Sequence, residues 1–213
     1  HLGVAFDPSG PTFRDEAFAD YKAQREKTPE DIKLSVPIIK QVLEAMNIPI
    51  LEVKGYEADD VIGTLATQAS HYDMETYMLT PDKDYGQLVK ENVFIYRPRH
   101  GGGYEILGVE QIKEKYQIES PSQVIDILAL MGDSADNFPG CPGVGEKTAI
   151  KLINDFKSIN NLLENTNQLK GKLKEKVEGA IDDIKMSNFL ATIKTDVPIE
   201  LNLTDLQLTP PNE

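Results

Sequence analysis

Cysteine is all but missing from this 213-residue chain. Cys141 stands alone, so neither an intramolecular disulfide nor a cysteine-based zinc cluster can form, and a reducing compartment, the cytoplasm, is the expectation. Long apolar runs are missing as well: none approaches the roughly 20 residues a membrane span requires. Residues 1–7 lack the charged-then-apolar order of a secretory signal, so membrane and secretory roles fall away. There is no initiator methionine, and an opening at His1 reads as a piece of something longer. Basic side chains are few, 22 against 35 acidic for a net charge of −13, which taken as an average argues against a nucleic-acid partner. The remaining composition, 40% hydrophobic and 27% charged, is that of a globular protein rather than a disordered or low-complexity one. The length suffices for one large domain or two small ones.

The average charge conceals a division. Residues 1–139 carry 13 basic and 24 acidic side chains, residues 140–194 carry 9 and 7, and residues 195–213 carry none and 4. The acidity is N-terminal, and it falls where strands are expected to end. Residues 2–6 form a short apolar run that reads as a buried strand ending at Asp7. Thr28-Pro29-Glu30-Asp31 reads as a helix start with threonine as N-cap; Ile38, Ile39, Val42, Leu43 and Met46 recur behind it at helical spacing, with Pro37 expected to kink the helix. Residues 49–53 read as a second strand, and Val61, Ile62, Leu65 and Ala69 as the apolar stripe of the next helix. Residues 74–79 and 93–96 read as further strands around a short helix at 85–89, with 104–107 able to pair at an edge.

Strands alternating with helices predict an α/β fold with a largely parallel central sheet flanked by helices. From Ser120-Pro121-Ser122-Gln123, a capping box with proline in the first turn, the pattern becomes helical. Residues 1–119 are therefore expected to form an α/β part and residues 120–213 a C-terminal helical subdomain.

Ligands of open parallel sheets bind beyond the carboxyl ends of the strands, and here those positions are acidic. Asp7 follows the first strand, Glu57, Asp59 and Asp60 the second, and Asp82 and Asp84 the third; Asp133 and Asp136 lie at the end of a later helix. Any one of them alone reads better as a turn or helix cap. Three acids in a single first helical turn exceed what the helix dipole calls for, however, and their recurrence at successive strand ends favours a metal site. Eight carboxylates at one edge would repel one another without cations, and hard oxygen donors with no histidine nearby select magnesium or manganese. Two such ions about 3.5 to 4 Å apart can activate water and stabilise the leaving oxygen in phosphodiester hydrolysis.

A second cluster, Gly140-Cys141-Pro142-Gly143-Val144-Gly145-Glu146-Lys147-Thr148, fails two glycine-rich patterns. Glu146 breaks the phosphate-loop order, and Thr148 stands where a dinucleotide fingerprint needs its third glycine. A hairpin between helices remains, with Gly143 and Gly145 allowing close backbone approach and free amides opening the next helix. Lys147 and Lys151, one turn apart, add charge on the same face, and Lys170, Lys172, Lys174 and Lys176 follow. Without the acidic cluster this would read as a turn with solvated lysines.

Taken in order, Phe6-Asp7, Phe13-Arg14 with Tyr21-Lys22, the run from Gly55 to Asp60, Thr80 to Asp84, Gly132 to Asn137, and the glycine hairpin make the chain resemble the 5′ nuclease (5′-3′ exonuclease) domains of bacterial DNA polymerase I, within the flap-endonuclease family. The resemblance implies a PIN-like nuclease fold and two divalent ions, Mg2+ or Mn2+, held directly or at one remove by Asp7, Glu57, Asp59, Asp60, Asp82, Asp84, Asp133 and Asp136. It implies that residues 14–28 form a helical arch whose Arg14, Lys22 and Arg25 contact phosphate near the scissile bond, with Tyr21 as a stacking platform. It further implies that residues 132–157 are a helix-hairpin-helix gripping duplex DNA through Gly143, Gly145, Lys147, Thr148 and Lys151, with a K+ ion bound there.

The substrate so implied is branched or nicked DNA with a 5′ flap, or an RNA primer, with a polymerase domain in the parent chain. Two departures stand out. Ala135 replaces a serine common in the family, and the family's first strand, with a further metal-binding aspartate, and the helix after it are not present. A branched-DNA-binding module without catalysis in this form is the alternative. A phosphoacceptor receiver domain ranks last, since it needs fewer acids and offers no hairpin.

Overall fold

The computed structural model describes residues 1–211. β1 (Val4–Ala5) is followed by the short α1 (Phe13–Ala17), α2 (Glu30–Ala45), β2 (Ile50–Leu51) and α3 (Ala58–Ala69). Then come β3 (Thr76–Leu79), a 3-10 turn over Asp84–Leu88, β4 (Val93–Pro98), β5 (Tyr104–Leu107) and α4 (Val109–Tyr116). The second half is helical: a 3-10 turn at Pro121–Gln123 leads into α5 (Val124–Met131), and α6 (Glu146–Phe156), α7 (Ile159–Glu164), α8 (Gly171–Gly179) and α9 (Ile181–Ala191) follow. No helix among the described residues is long and apolar enough to cross a membrane.

The expected central sheet is divided in two. β1 pairs in parallel with β2, Val4 opposite Ile50, while β3 pairs in parallel with β4 and β4 in antiparallel with β5. Among the described residues β1 and β3 each have a strand neighbour on one side only. What joins the half-sheets is α3, whose apolar stripe packs against both strands. Val61 and Leu65 of that stripe are buried as expected, together with Val197 and against Ala5, Leu51 and Val53.

Two features of α2 differ from the sequence reading. Its N-cap is Pro29 rather than Thr28, though the helix runs on past Pro37 as expected. Its apolar residues Ile38, Ile39, Val42 and Met46 are 45% to 61% exposed. Helical spacing shows that these side chains share a face but not that anything covers it, and no residue of α2 is buried. Tyr77, Leu79, Tyr104 and Ile106 leave a second apolar surface open on the β3–β5 sheet.

The main core runs across residue 119 without a break. Tyr85 and Ile95 on one side share a cluster with Ile127, Leu128, Ile153, Leu162 and Ile184 on the other. The Ser120 capping box forms as expected, with the Ser120 amide donating to Gln123 Oε1 at 3.0 Å, and α5 then packs along α9.

Between α5 and α6 the chain turns back on itself, and glycine makes this possible. Gly140 has φ +61°, and a Cβ there would collide with the backbone of Met131 and Gly132. Gly140→Ala is therefore expected to destabilise the protein by about 3 kcal/mol. That corresponds to a melting temperature lower by roughly 6 to 12 °C for a chain of this size, to be read by thermal denaturation.

Candidate active site

Arg14, on α1, lies beneath the acidic strand ends with 2% of its surface exposed. All five of its N–H donors are engaged: Nε with Leu190 O, one terminal nitrogen with Glu57 Oε2 and Asp60 Oδ2, the other with Asp60 Oδ1 and Thr192 O. Asp60 is equally filled. Its Oδ1 also accepts from the Lys194 amide at 2.8 Å and its Oδ2 from the Glu57 amide at 3.0 Å, so four donors meet the four lone-pair positions of a carboxylate.

One sequence expectation is corrected here: Arg14 is buried with no donor left for a phosphate. Asp60 is fully buried with every lone pair taken, so of the two roles expected for it, direct ligand or residue at one remove, only the second is open to it. Arg14 and Asp60 form a structural clamp that joins α1, the start of α3 and the end of α9.

Above the clamp opens a cleft of about 220 Å3, lined by Asp7, Glu57, Asp59, Asp82, Asp84 and Asp136. The elements place them in sequence order. Asp7 leaves β1 and accepts from the Ala58 amide at the start of α3 (2.8 Å), and Glu57 is the N-cap of that helix. Asp59 follows one residue into the turn and accepts from the Tyr85 hydroxyl at 2.6 Å. Asp82 accepts from the Asp84 amide at 2.8 Å, an Asx turn that opens the 3-10 turn after β3. Asp133 lies beside the cleft, its Oδ1 on the Ala135 amide at 2.7 Å.

Crowding shows in the acidities. Burial raises Asp84 to about 7, with the Asp82 charge adding to the effect. Burial raises Asp59 to about 6 despite the Tyr85 hydrogen bond, with Asp82 and Glu57 contributing. Asp133 goes the other way: burial works to raise it, but hydrogen bonds from Lys83 and the Ala135 amide hold it below its ordinary value.

The basic residues around the cleft pair with its carboxylates. Residues 14–28 do not form a helical arch, because helix ends at Ala17 and turns follow. Lys22, at φ +54°, pairs with Glu57, and its amide donates to Asp136 O at 2.9 Å. Arg25 pairs with Asp136. Lys83 pairs with Asp133 at 2.6 Å. Tyr21, expected as an exposed stacking platform, is 5% exposed, its hydroxyl donating to Glu57 Oε2 at 3.1 Å; it fills the core instead.

Among the described residues no three acidic, histidine or cysteine side chains stand as a ready-made metal cage. The donor chemistry nevertheless fits a hard divalent cation, and one atom calls for one: Asp84 Oδ1 is buried with no hydrogen-bond partner. Asp7, Asp59, Asp82 and Asp84 present the oxygens that such an ion could take, with Asp133 and Asp136 opposite.

At the hairpin, Gly145 is the N-cap of α6, and Lys147 and Lys151 are exposed, with Thr148 half-buried between them. Gly143 has φ +73°, and the Lys176 ammonium stands where its Cβ would be.

Sequence reasoning missed two residues. Tyr85 was visible only as the neighbour of Asp84. Gln87 left no signal, yet it donates to Asp84 O and Ala191 O and accepts from the Ile193 amide, all at 2.9 Å.

A carboxyl with a raised folded-state pKa binds its proton more tightly folded than unfolded. Its contribution to stability is full below the unfolded value and is lost as pH rises through the folded one. With Asp59 at about 6 and Asp84 at about 7, the melting temperature without divalent ions is expected to rise as pH falls from about 8 to about 5. Asp84→Asn, which cannot ionise, is expected to melt higher than the parent at the upper pH and to show a flatter profile by calorimetry.

Comparison with known proteins agrees with this geometry over the whole chain. Residues 1–117 match the family model "5′-3′ exonuclease, N-terminal resolvase-like domain" and residues 119–213 match "5′-3′ exonuclease, C-terminal SAM fold". DNA polymerase I of Bacillus subtilis (strain 168) is 46% identical over 209 residues, 97% of this chain and 24% of the relative, so the chain spans about a quarter of that protein. The 5′-3′ exonuclease of Aquifex aeolicus (strain VF5) is 39% identical over 212 residues, all of this chain and 71% of the relative. The bacteriophage T5 D15 flap endonuclease, solved as a pseudo-enzyme-product complex with DNA and metal ions, superposes with a TM-score of 0.76 at 20% identity, over 90% of this chain and 74% of that one. The last likeness speaks to fold alone. Together with two family models that divide the chain between them, the acid-lined cleft beside a glycine hairpin places this chain in the 5′-3′ exonuclease family.

Proposed function

We propose that this chain hydrolyses phosphodiester bonds at the 5′ ends of branched or nicked DNA, flaps and RNA primers included, as a metal-dependent 5′-3′ exonuclease and flap endonuclease. The observation that carries the reading is the cleft in which Asp84 Oδ1 lies buried without a partner among like charges. The T5 complex with DNA and metal ions supports it only so far as a shared fold does. Residues 1–119 act as the cutting part and residues 120–213 as the duplex-holding part.

Two divalent ions, Mg2+ or Mn2+, would be held by Asp7, Asp59, Asp82 and Asp84 with Asp133 and Asp136, and would supply activation of water and neutralisation of charge on the leaving oxygen. Glu57 acts at one remove, orienting Lys22. Lys22 and Arg25 exchange Glu57 and Asp136 for phosphate oxygens when the 5′ strand enters. Tyr85 orients Asp59 through its hydroxyl, and Arg14 and Asp60 hold the first turn of α3 in place beneath. At the hairpin, the amides after Gly145 and the side chains of Lys147, Thr148 and Lys151 grip the duplex backbone, with Gly143 allowing close approach, and a K+ ion held there would add charge for a phosphate. The setting is cytoplasmic replication and repair, beside a polymerase domain.

A second reading, a branched-DNA-binding module without catalysis, is favoured by one observation. β1 and β3 flank α3 with a free edge each, and the carboxylate cleft opens at their ends. A further parallel strand between them would complete the sheet and bring another side chain to the cleft. On this view the chain as it stands cleaves weakly while still binding DNA.

Cleavage of a labelled 5′ flap with Mg2+ against an EDTA control separates the two readings. The cleaving reading expects Mg2+-dependent product that EDTA abolishes, and flap binding with no cleavage at any Mg2+ concentration would leave the binding reading. Lys147→Ala should weaken flap binding for all sequences alike and reduce the slope of log affinity against log salt by about 1. Wild-type binding by that variant would remove the hairpin from the interface.

A further inference from the structure

Lys83 lies between Asp82 and Asp84 in sequence and reaches across to the loop after α5, where its ammonium meets Asp133 Oδ2 at 2.6 Å. The lysine side chain is 43% exposed and that of Asp133 only 12%. Asp133 is fixed from the other side by the Ala135 amide, so its carboxylate is oriented and its remaining oxygen is occupied by the lysine. The same ammonium also interacts with the charge of Asp84, whose Oδ1 has no hydrogen-bond partner. A single positive charge thus serves two carboxylates that come from opposite halves of the molecule. That is the position a bridging cation would take.

We propose that Lys83 is a built-in countercation for the Asp84–Asp133 pair, and that a second divalent ion binds there only by displacing it. The proposal rests on the metal-site reading above and goes beyond it by making the two ions unequal. Asp7, Asp59 and Asp82 are in no ion pair among the described residues, the Lys22 ammonium in the same cleft being paired with Glu57, whereas an ion reaching Asp133 must break one. Lys83 therefore raises the concentration of divalent ion at which the second position fills and keeps Asp133 oriented until it does. Once displaced, the side chain remains tethered at the lip of the cleft as a free cation.

Titration of the full chain with Mn2+, followed by electron paramagnetic resonance of the free ion at fixed ionic strength and without DNA, reads stoichiometry and affinity independently of cleavage. Lys83→Met is expected to lower the midpoint for the weaker ion roughly three- to ten-fold and to leave the tighter ion within a factor of about two. Lys83→Arg keeps the charge and should behave as wild type. Lys115→Met, which removes a neighbouring charge hydrogen-bonded to none of the cleft carboxylates among the described residues, should shift the weaker ion by much less. Circular dichroism confirms that each variant is folded.

Equal shifts in Lys83→Met and Lys115→Met would overturn the proposal, since a general field would then explain the effect. A weaker second ion in Lys83→Met would overturn it too, by showing that the lysine assists binding. Absence of Mn2+ binding in every protein would overturn the metal reading and this proposal with it.

Discussion

The ion pair of Arg14 with Asp60 is the constraint on which the rest of the site depends. Moving two charges out of water costs several kcal/mol each, and such a pair is tolerated only when every donor and acceptor is met. Here all are met, five on the guanidinium and four on the carboxylate. The consequence is geometric. Asp60 lies in the first turn of α3 and Arg14 on α1, and the remaining donors reach carbonyls at the end of α9, so three segments distant in sequence meet at one point. Glu57 and Asp59 sit in the same helical turn as Asp60. Whatever fixes Asp60 therefore fixes where those two carboxylates face.

The cleft above is out of electrostatic balance by design of its sequence, and the chain offsets this with its own cations. Lys22, Arg25 and Lys83 each cross to a carboxylate on another segment. The pairs of Arg25 and Lys83, whose cations are half exposed, contribute little to stability, of the order of 1 kcal/mol or less each, whereas the Lys22–Glu57 pair is largely out of water. The buried and the exposed pairs thus differ in kind: Arg14 is out of water with every donor met, while the cations of the Arg25 and Lys83 pairs remain open to solvent. The net charge of −13 misleads for the same reason, since local pairing rather than the total decides what approaches the cleft.

What could be read from the sequence follows from what periodicity encodes. The apolar stripe of α3, the Ser120 capping box and the hairpin glycines were legible because each imposes a local pattern, and the acids at strand ends were legible through topology. Burial of a charged residue leaves no such pattern. Arg14 and Tyr21 read as surface residues because their partners, Leu190 and Thr192 for one and Glu57 for the other, are remote in sequence. Asp60 looked identical to Asp59, and only the direction of its side chain, down into the helix start rather than up into the cleft, separates a clamp from a ligand. The exposed face of α2 fails in the opposite sense. Helical spacing identified a stripe, but a stripe states only which side chains share a side. The division of the sheet was likewise beyond reach, because strands of two residues carry too little alternation to show which neighbours they pair with.

The hairpin and the cleft are held in register by one helix. Gly140 stands at the base of the hairpin, and its amide donates to Ser187 Oγ at 2.8 Å. Ser187 is fully buried in α9. Three residues further along the same helix, Leu190 O accepts from Arg14 Nε at 2.9 Å. At a rise of about 1.5 Å per residue, these two attachment points lie roughly 4.5 Å apart along the axis. A helix of that length resists compression far better than a loop would, so the spacing between the amides that open α6 and the carboxylates of the cleft does not depend on the turns that separate them in sequence. Gln87 adds a second strut, tying the turn that carries Asp84 to Ala191 and Ile193 just beyond. The end of α9 thus has the hydrogen bonds to act as a rigid spacer between the hairpin and the cleft.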